Sequence, residues 1–241
     1  VLLQKADPYG NRTQPAPLWN SVVADVSDFI WNDSSWMAER KKYDDRRQPV
    51  SIYETSLGQW KSGKELVAFA KEKGYTHVEL HPVMEFLEDG SDGYPTSAYF
   101  AVSTRYGTPA EFAALVDELH QVGIGVILDW SPAQFPRYAG GLEKFDGTPL
   151  YEVKDPEMAV HPMWGTMLYN YDSPMVMDFL ISNACFWLEV FHVDGLRMDD
   201  VDAMLYLDYG RKDGWTPNMY GSNENLQAIE FLKHLNSILK K

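Results

Sequence analysis

Gly195-Leu196-Arg197-Met198-Asp199 sets an arginine and an aspartate two residues apart along a predicted strand that follows the helix-like apolar run 179–191. Two residues apart on a strand means the same face. A carboxylate beside a fixed guanidinium is expected to stay ionised at neutral pH, which is what a nucleophilic or charge-stabilising aspartate needs, so Asp199 is the first candidate for that role. The same pattern also serves as a structural ion pair at a strand end, and the choice between the two depends on the neighbouring sequence.

Working outward, short apolar strands at 51–57, 77–82, 126–130 and 195–201 alternate with helical segments at 63–73, 109–122, 174–191 and 225–239. That alternation predicts an α/β fold with a parallel sheet built from four βα units. Thr108-Pro109-Ala110-Glu111 combines an N-cap threonine, proline at the first helical position and glutamate at the third, and Gly123 is placed to end that helix. The stretch 131–173 is too long for an ordinary connection and is dense in Pro, Gly, Trp and Tyr, so it reads as a functional excursion after the third strand. Barrel enzymes place their chemistry at such strand C-termini. Residues 1–50 show no sustained period and read as a loop-rich leading segment or the tail of a preceding domain, with a basic patch from Arg40-Lys41-Lys42 and Arg46-Arg47 interrupted by Asp44-Asp45.

Composition narrows the partners. The chain has 241 residues, 45% hydrophobic and 14% aromatic, enough for a large buried core. Against 35 acidic residues stand 21 basic ones, and the net charge of −14 repels phosphate backbones and anionic lipid. A neutral substrate is expected, with no nucleic-acid or membrane partner. The 8 Trp and 14 Tyr suit stacking on sugar rings, although core and loop packing accounts for most of them. Cys185, inside the apolar run, reads as an inert buried thiol. No signal-peptide pattern or long apolar span is evident, which makes a cytoplasmic location the default expectation, and a first residue other than Met hints at a reading frame that begins upstream.

Polar groups that core packing does not require close the strands: Asp129 after Val126-Ile127-Leu128, Arg197 and Asp199 on the fourth, and Glu79 and His81 alternating on the second. For Asp129 the alternative is a buried capping aspartate, and for His81 a framework histidine is the expected role. Tyr94, after Gly93, is placed to stack on a sugar or simply to pack its loop. No metal or cofactor is expected, because the six His are scattered, and Asp199-Asp200-Val201-Asp202 lacks the glycine and closing glutamate of a calcium loop.

Asp129-Trp130-Ser131-Pro132-Ala133-Gln134-Phe135-Pro136, Phe145-Asp146-Gly147-Thr148-Pro149-Leu150-Tyr151-Glu152, Gly195-Leu196-Arg197-Met198-Asp199 and Met204-Leu205-Tyr206-Leu207-Asp208-Tyr209 closely resemble glycogen branching enzymes of the α-amylase superfamily. The resemblance runs from about residue 52 to 236, and Lys5-Ala6-Asp7-Pro8-Tyr9 resembles the joint after these enzymes' N-terminal β-sandwich. It implies a (β/α)8 barrel of TIM type, present as its first four βα units over 51–241, acting on α-1,4-glucan such as amylose or glycogen. By that resemblance Asp199 is the catalytic nucleophile and Arg197 its charge partner; Asp129 supports the site, and Tyr94 stacks under the bound sugar. The implied reaction is retaining, through a covalent glycosyl-aspartate, with a second carboxyl group acting as acid and then base and a glucan 6-hydroxyl as acceptor.

Two positions depart from the family. Gln134 stands where members carry a sugar-binding histidine, and a neutral amide is expected to stabilise the transition state less. Asp200 stands where a small apolar residue is usual and is expected to raise the pKa of its neighbour Asp199. The family's acid/base glutamate lies on the strand after 225–239, beyond this chain, so the chain alone is expected to be nearly inactive. A non-catalytic glucan-binding remnant and a trehalose-releasing hydrolase are the alternative readings. Four strands of eight leave open sheet edges, which invite self-association. In size-exclusion chromatography the chain should elute as a dimer or larger species; a compact, cooperatively melting monomer would count against this.

Overall fold

The computed structural model describes residues 4–15, 18–42 and 48–240. In chain order the elements are α1 (Ser34–Arg40), β1 (Ile52–Thr55), a 3-10 turn (Leu57–Gln59), α2 (Gly63–Lys73), β2 (His77–Leu80), β3 (Met84–Phe86), β4 (Thr96–Val102), α3 (Pro109–Gln121), β5 (Gly125–Trp130), β6 (Gln134–Phe135), α4 (Pro156–Ala159), β7 (Met167–Leu168), α5 (Pro174–Glu189), β8 (Gly195–Met198), α6 (Val201–Leu205) and α7 (Leu226–Leu239). Strands β1, β2, β5 and β8 form one sheet in that order, every pair parallel. These are four consecutive βα units of a (β/α)8-type barrel, as the alternation of the sequence predicts.

Local chemistry explains the helices. Ser62 caps α2 by accepting from the Glu65 N–H, and Gly74, at φ +75°, ends it in the left-handed region. Thr108 and Glu111 form the reciprocal capping box at the start of α3, and Gly123, at φ +81°, follows its end. The apolar faces of α2 (Leu66, Val67, Ala70) and α3 (Phe112, Leu115, Val116, Leu119) lie in the same core as Val78, Leu80, Val126, Leu128 and Trp130. Because strand residues alternate, Glu79, Ile127, Asp129 and Arg197 point the other way, into the concave side of the sheet.

The structure differs from the sequence reading in three places. The fourth strand ends at Met198, not 201; Asp199 lies just past it and Val201 already begins α6. The loop after β2 contains the antiparallel pair β3–β4, with Tyr94 in the connection, and the excursion after β5 contains a second short pair, β6–β7. The leading segment carries helix α1, which no apolar period announces, because side-chain hydrogen bonds hold it down. Trp36 Nε1 donates to Asp194 Oδ1 at 2.8 Å, and the Arg40 guanidinium bonds the His192 and Val193 carbonyls and Asp194. His120 lies 2.8 Å from Asp33 and 3.0 Å from Asp194, and Asp194 also accepts from the Val126 N–H. Arg46-Arg47 and Asp44-Asp45 of the basic patch lie outside the described residues. Among those described, no helix is long and apolar enough to cross a membrane.

Burial opposes ionisation of Asp194, but the hydrogen bond and charge of His120, with the Val126 and Trp36 N–H donors, hold its carboxyl below the ordinary range. A carboxyl depressed by folding contributes stability that is present above its unfolded pKa and lost as pH falls through its folded one. Asp194→Ala should therefore cost about 3–5 kcal/mol in urea denaturation at neutral pH. The loss should shrink at pH values below the usual aspartate range.

Candidate active site

The parallel register of β5 and β8 sets Asp129 directly opposite Arg197. The Arg197 guanidinium donates to Asp129 Oδ2 at 3.0 Å, and the Tyr94 hydroxyl donates to that same oxygen. Arg197 also contacts the Tyr94 hydroxyl at 3.3 Å and lies 3.7 Å from both Glu79 and Asp199. One guanidinium thus faces three carboxylates and a phenol at the C-terminal ends of the barrel strands, where this architecture builds its chemistry.

Asp129 is fully buried, whereas the Asp199 side chain keeps 30% of its surface exposed. The two carboxylates are therefore unequal: Asp129 anchors Arg197 and Tyr94 from beneath, and Asp199 is open to a ligand. Asp129 Oδ1 is buried without a hydrogen-bond partner among the described residues. Glu79 reaches towards Asp129, and its carboxyl is pushed up by burial and then by the negative charges of Asp129 and Glu54, against the pull of Arg197. Burial, the hydrogen bond to Asp129 and its charge also keep the Tyr94 phenol protonated far above the usual tyrosine range.

Burial raises the Asp199 pKa; Arg197 opposes this from 3.7 Å, and the charges of Asp200 and Asp129 raise it further. The net direction is up, because burial outweighs the pull of Arg197, whose closer ion pair is with Asp129. The rise from Asp200 has the sign expected from the sequence.

Gln134 sits on β6 with both ends of its amide engaged. The Thr166 hydroxyl donates to its Oε1, and its Nε2 donates to Asp200 Oδ2 at 3.0 Å, leaving one N–H for a ligand. His81, the expected framework histidine, lies 3.1 Å from Glu54. The fold brings the ligand atoms of Glu54, His81 and Asp129 within 4.8 Å of one another, a grouping hidden by their separation along the chain. Their donor set could take a cation, but the Arg197 guanidinium already brings a positive charge to the Asp129 carboxylate. Cys185 is half-buried, with its thiol pushed up by burial and then by the charge of Glu189, in keeping with an inert role. Sequence reasoning missed His161, fully buried in the excursion with Nε2 2.9 Å from Asp200; only its place in the aromatic-rich 131–173 stretch pointed that way. Next to this cluster, Ala133, Tyr169, Tyr171, Tyr206, Tyr209 and Arg211 help line a cavity of about 270 Å³.

The family model described as "Alpha amylase, catalytic domain" matches residues 31–132. The chain is 47% identical to a 1,4-alpha-glucan branching enzyme of Nitrosococcus oceani, over 98% of this chain and 33% of that protein. It is 50% identical to a 1,4-alpha-glucan branching enzyme of Frankia casuarinae over 97% of this chain and 30% of that protein. It thus spans about a third of the length of the curated relatives it matches. A crystal structure described as an alpha amylase from Salmonella typhimurium superposes with a TM-score of 0.69 and 25% identity, over 83% of this chain and 33% of that one.

For a group whose pKa folding raises, the stabilising contribution is full below the unfolded pKa and lost as pH rises through the folded one. Asp199 should accordingly titrate above an ordinary aspartate in carboxyl ¹³C NMR, and Arg197→Leu should raise its midpoint further. A midpoint at or below that of exposed aspartates would contradict this assignment.

Proposed function

We propose that the chain is a member of the α-amylase superfamily and carries the nucleophile-bearing half of the active site of a 1,4-α-glucan branching enzyme. The observation that carries this reading is the inequality of the carboxylates: Asp199 is the accessible one at the end of β8, beside a guanidinium and phenol that a buried Asp129 holds in place.

In this reading Asp199 Oδ attacks the anomeric carbon of an α-1,4-linked glucose as the glycosidic C–O bond breaks. The leaving oxygen takes a proton from an acid that relatives supply from the part of the barrel beyond this chain. The glycosyl-aspartate ester is then opened by the 6-hydroxyl of a second glucan segment, which forms the 1,6 branch and frees Asp199. Arg197 orients Asp199, and Tyr94, pinned through its hydroxyl, offers its ring to the sugar. Gln134 offers its remaining N–H to a sugar hydroxyl. The division into a leading segment over 1–50 and a barrel over 51–241, a cytoplasmic location, and self-association through open sheet edges belong to the same proposal.

The test is an amylose-branching assay, by loss of iodine colour and gain of 1,6-linkages, on this chain and on a protein extended to the length of its relatives. Activity is expected in the extended protein and is abolished by Asp199→Asn. Tyr94→Ala should raise KM by about 2- to 10-fold, the scale of one lost stacking contact. Glucan binding without turnover in both proteins would identify a binding remnant instead, and release of trehalose would identify a hydrolase.

A further inference from the structure

Asp200 presents a puzzle of local structure. It is the N-cap residue of α6, a position at which an aspartate ordinarily accepts a hydrogen bond from the first turn of its own helix, yet its side chain makes no such bond. It also sits at φ +57° and ψ +35°, a left-handed conformation that is uncommon for residues other than glycine. Something other than its own helix holds it there.

The holding groups come from the excursion after β5. Gln134 Nε2 donates to Asp200 Oδ2 at 3.0 Å, and the amide is oriented by the Thr166 hydroxyl, which donates to Gln134 Oε1. On the same carboxylate oxygen, at 2.9 Å but off the hydrogen-bonding direction, lies His161 Nε2. The Nδ1 of that ring accepts from the Met163 and Trp164 N–H groups, which leaves the proton on Nε2, facing Asp200. The Asp200 side chain is only 8% exposed and that of His161 is fully buried. The carboxylate is thus turned away from solvent into a pocket of donors directly beside Asp199 in the chain.

We propose that Gln134 and His161 clamp Asp200, which makes Asp200 a positioning residue for Asp199. The clamp holds the left-handed turn immediately after Asp199, and it fixes the Asp200 carboxylate on Gln134 and His161, which limits how far its charge can approach Asp199. Gln134 and Asp200 are therefore one device: each residue alone would damage the site, and together they offset one another. The inference rests on the proposed function only for what Asp199 does, not for how it is held.

The experiment is a carboxyl ¹³C titration of the chain labelled at aspartate, with Asp199 assigned by Asp199→Asn and exposed Asp213 as internal reference. Gln134→Met removes the donor at nearly constant volume and should move the Asp199 midpoint upward by about half a pH unit or more, as a released neighbouring charge would. Asparagine tolerates the left-handed region and carries no charge, so in an Asp200→Asn background the same Gln134→Met should move Asp199 little. Thr166→Val, which only frees the Gln134 amide to rotate, should act in the same direction and carries the cycle if Gln134→Met does not fold. Equal shifts in the two backgrounds, or none in either, would overturn the clamp. This readout needs no turnover, so a failed branching assay and a failed clamp remain separate results.

Discussion

The ion pair of Arg197 with Asp129 is the interaction on which the rest of the site depends. It follows from register: β5 and β8 pair in parallel with Asp129 opposite Arg197, and a one-residue slip would send one of them into the helix layer. Asp129 is fully buried, so its charge is tolerable only with the guanidinium and the Tyr94 hydroxyl on it. Those two donors are in turn fixed in place, one on β8 and one in the β3–β4 connection. Asp199, a residue beyond the end of β8, inherits its position from this arrangement.

A second charge network occupies the opposite end of the same strand. Asp194, just before β8, gathers Trp36, Arg40, His120 and the Val126 N–H, and His120 passes the connection on to Asp33. Its partners come from the leading segment, from α3 and from β5, so it ties the chain's first helix to the N-terminal end of the sheet. In barrels of this kind the two ends divide their labour between stability and chemistry. Here the division shows in solvent access: Asp194 and His120 are sealed, whereas Arg197 and Asp199 face water.

Much of this was legible in the sequence wherever local chemistry decides structure. The Thr108–Glu111 capping box, the Gly123 stop and the four apolar strands each rest on neighbours within a few residues, and all appear, with the first, second and fourth strands shorter than read. What escaped is non-local or energetically marginal. The short β3–β4 and β6–β7 pairs have few residues and irregular or minimal registers, so they look like loops. Helix α1 depends on partners more than 150 residues away. The raised Asp199 reflects burial that outweighs an arginine whose closer ion pair is with Asp129, which spacing along one strand cannot reveal. Likewise, Gln134 and Asp200 read as two separate departures because 66 residues lie between them, yet they touch.

The charge balance of the site bears on the kind of reaction it can favour. Glu79, Asp129 and Asp199 converge on one guanidinium, and both Glu79 and Asp199 hold their protons more tightly than ordinary carboxyls. Three acidic groups thus face one positive charge. Such a site has little use for an anionic substrate. In the proposed glycosyl transfer it would lower the energy of positive charge developing at the reacting carbon, most strongly once a bound sugar had displaced water and lowered the local dielectric. The same displacement would penalise a charged Asp199 in the filled site. Holding the Asp200 carboxylate away from it limits that penalty, so the sealed donors around Asp200 matter most when the site is full.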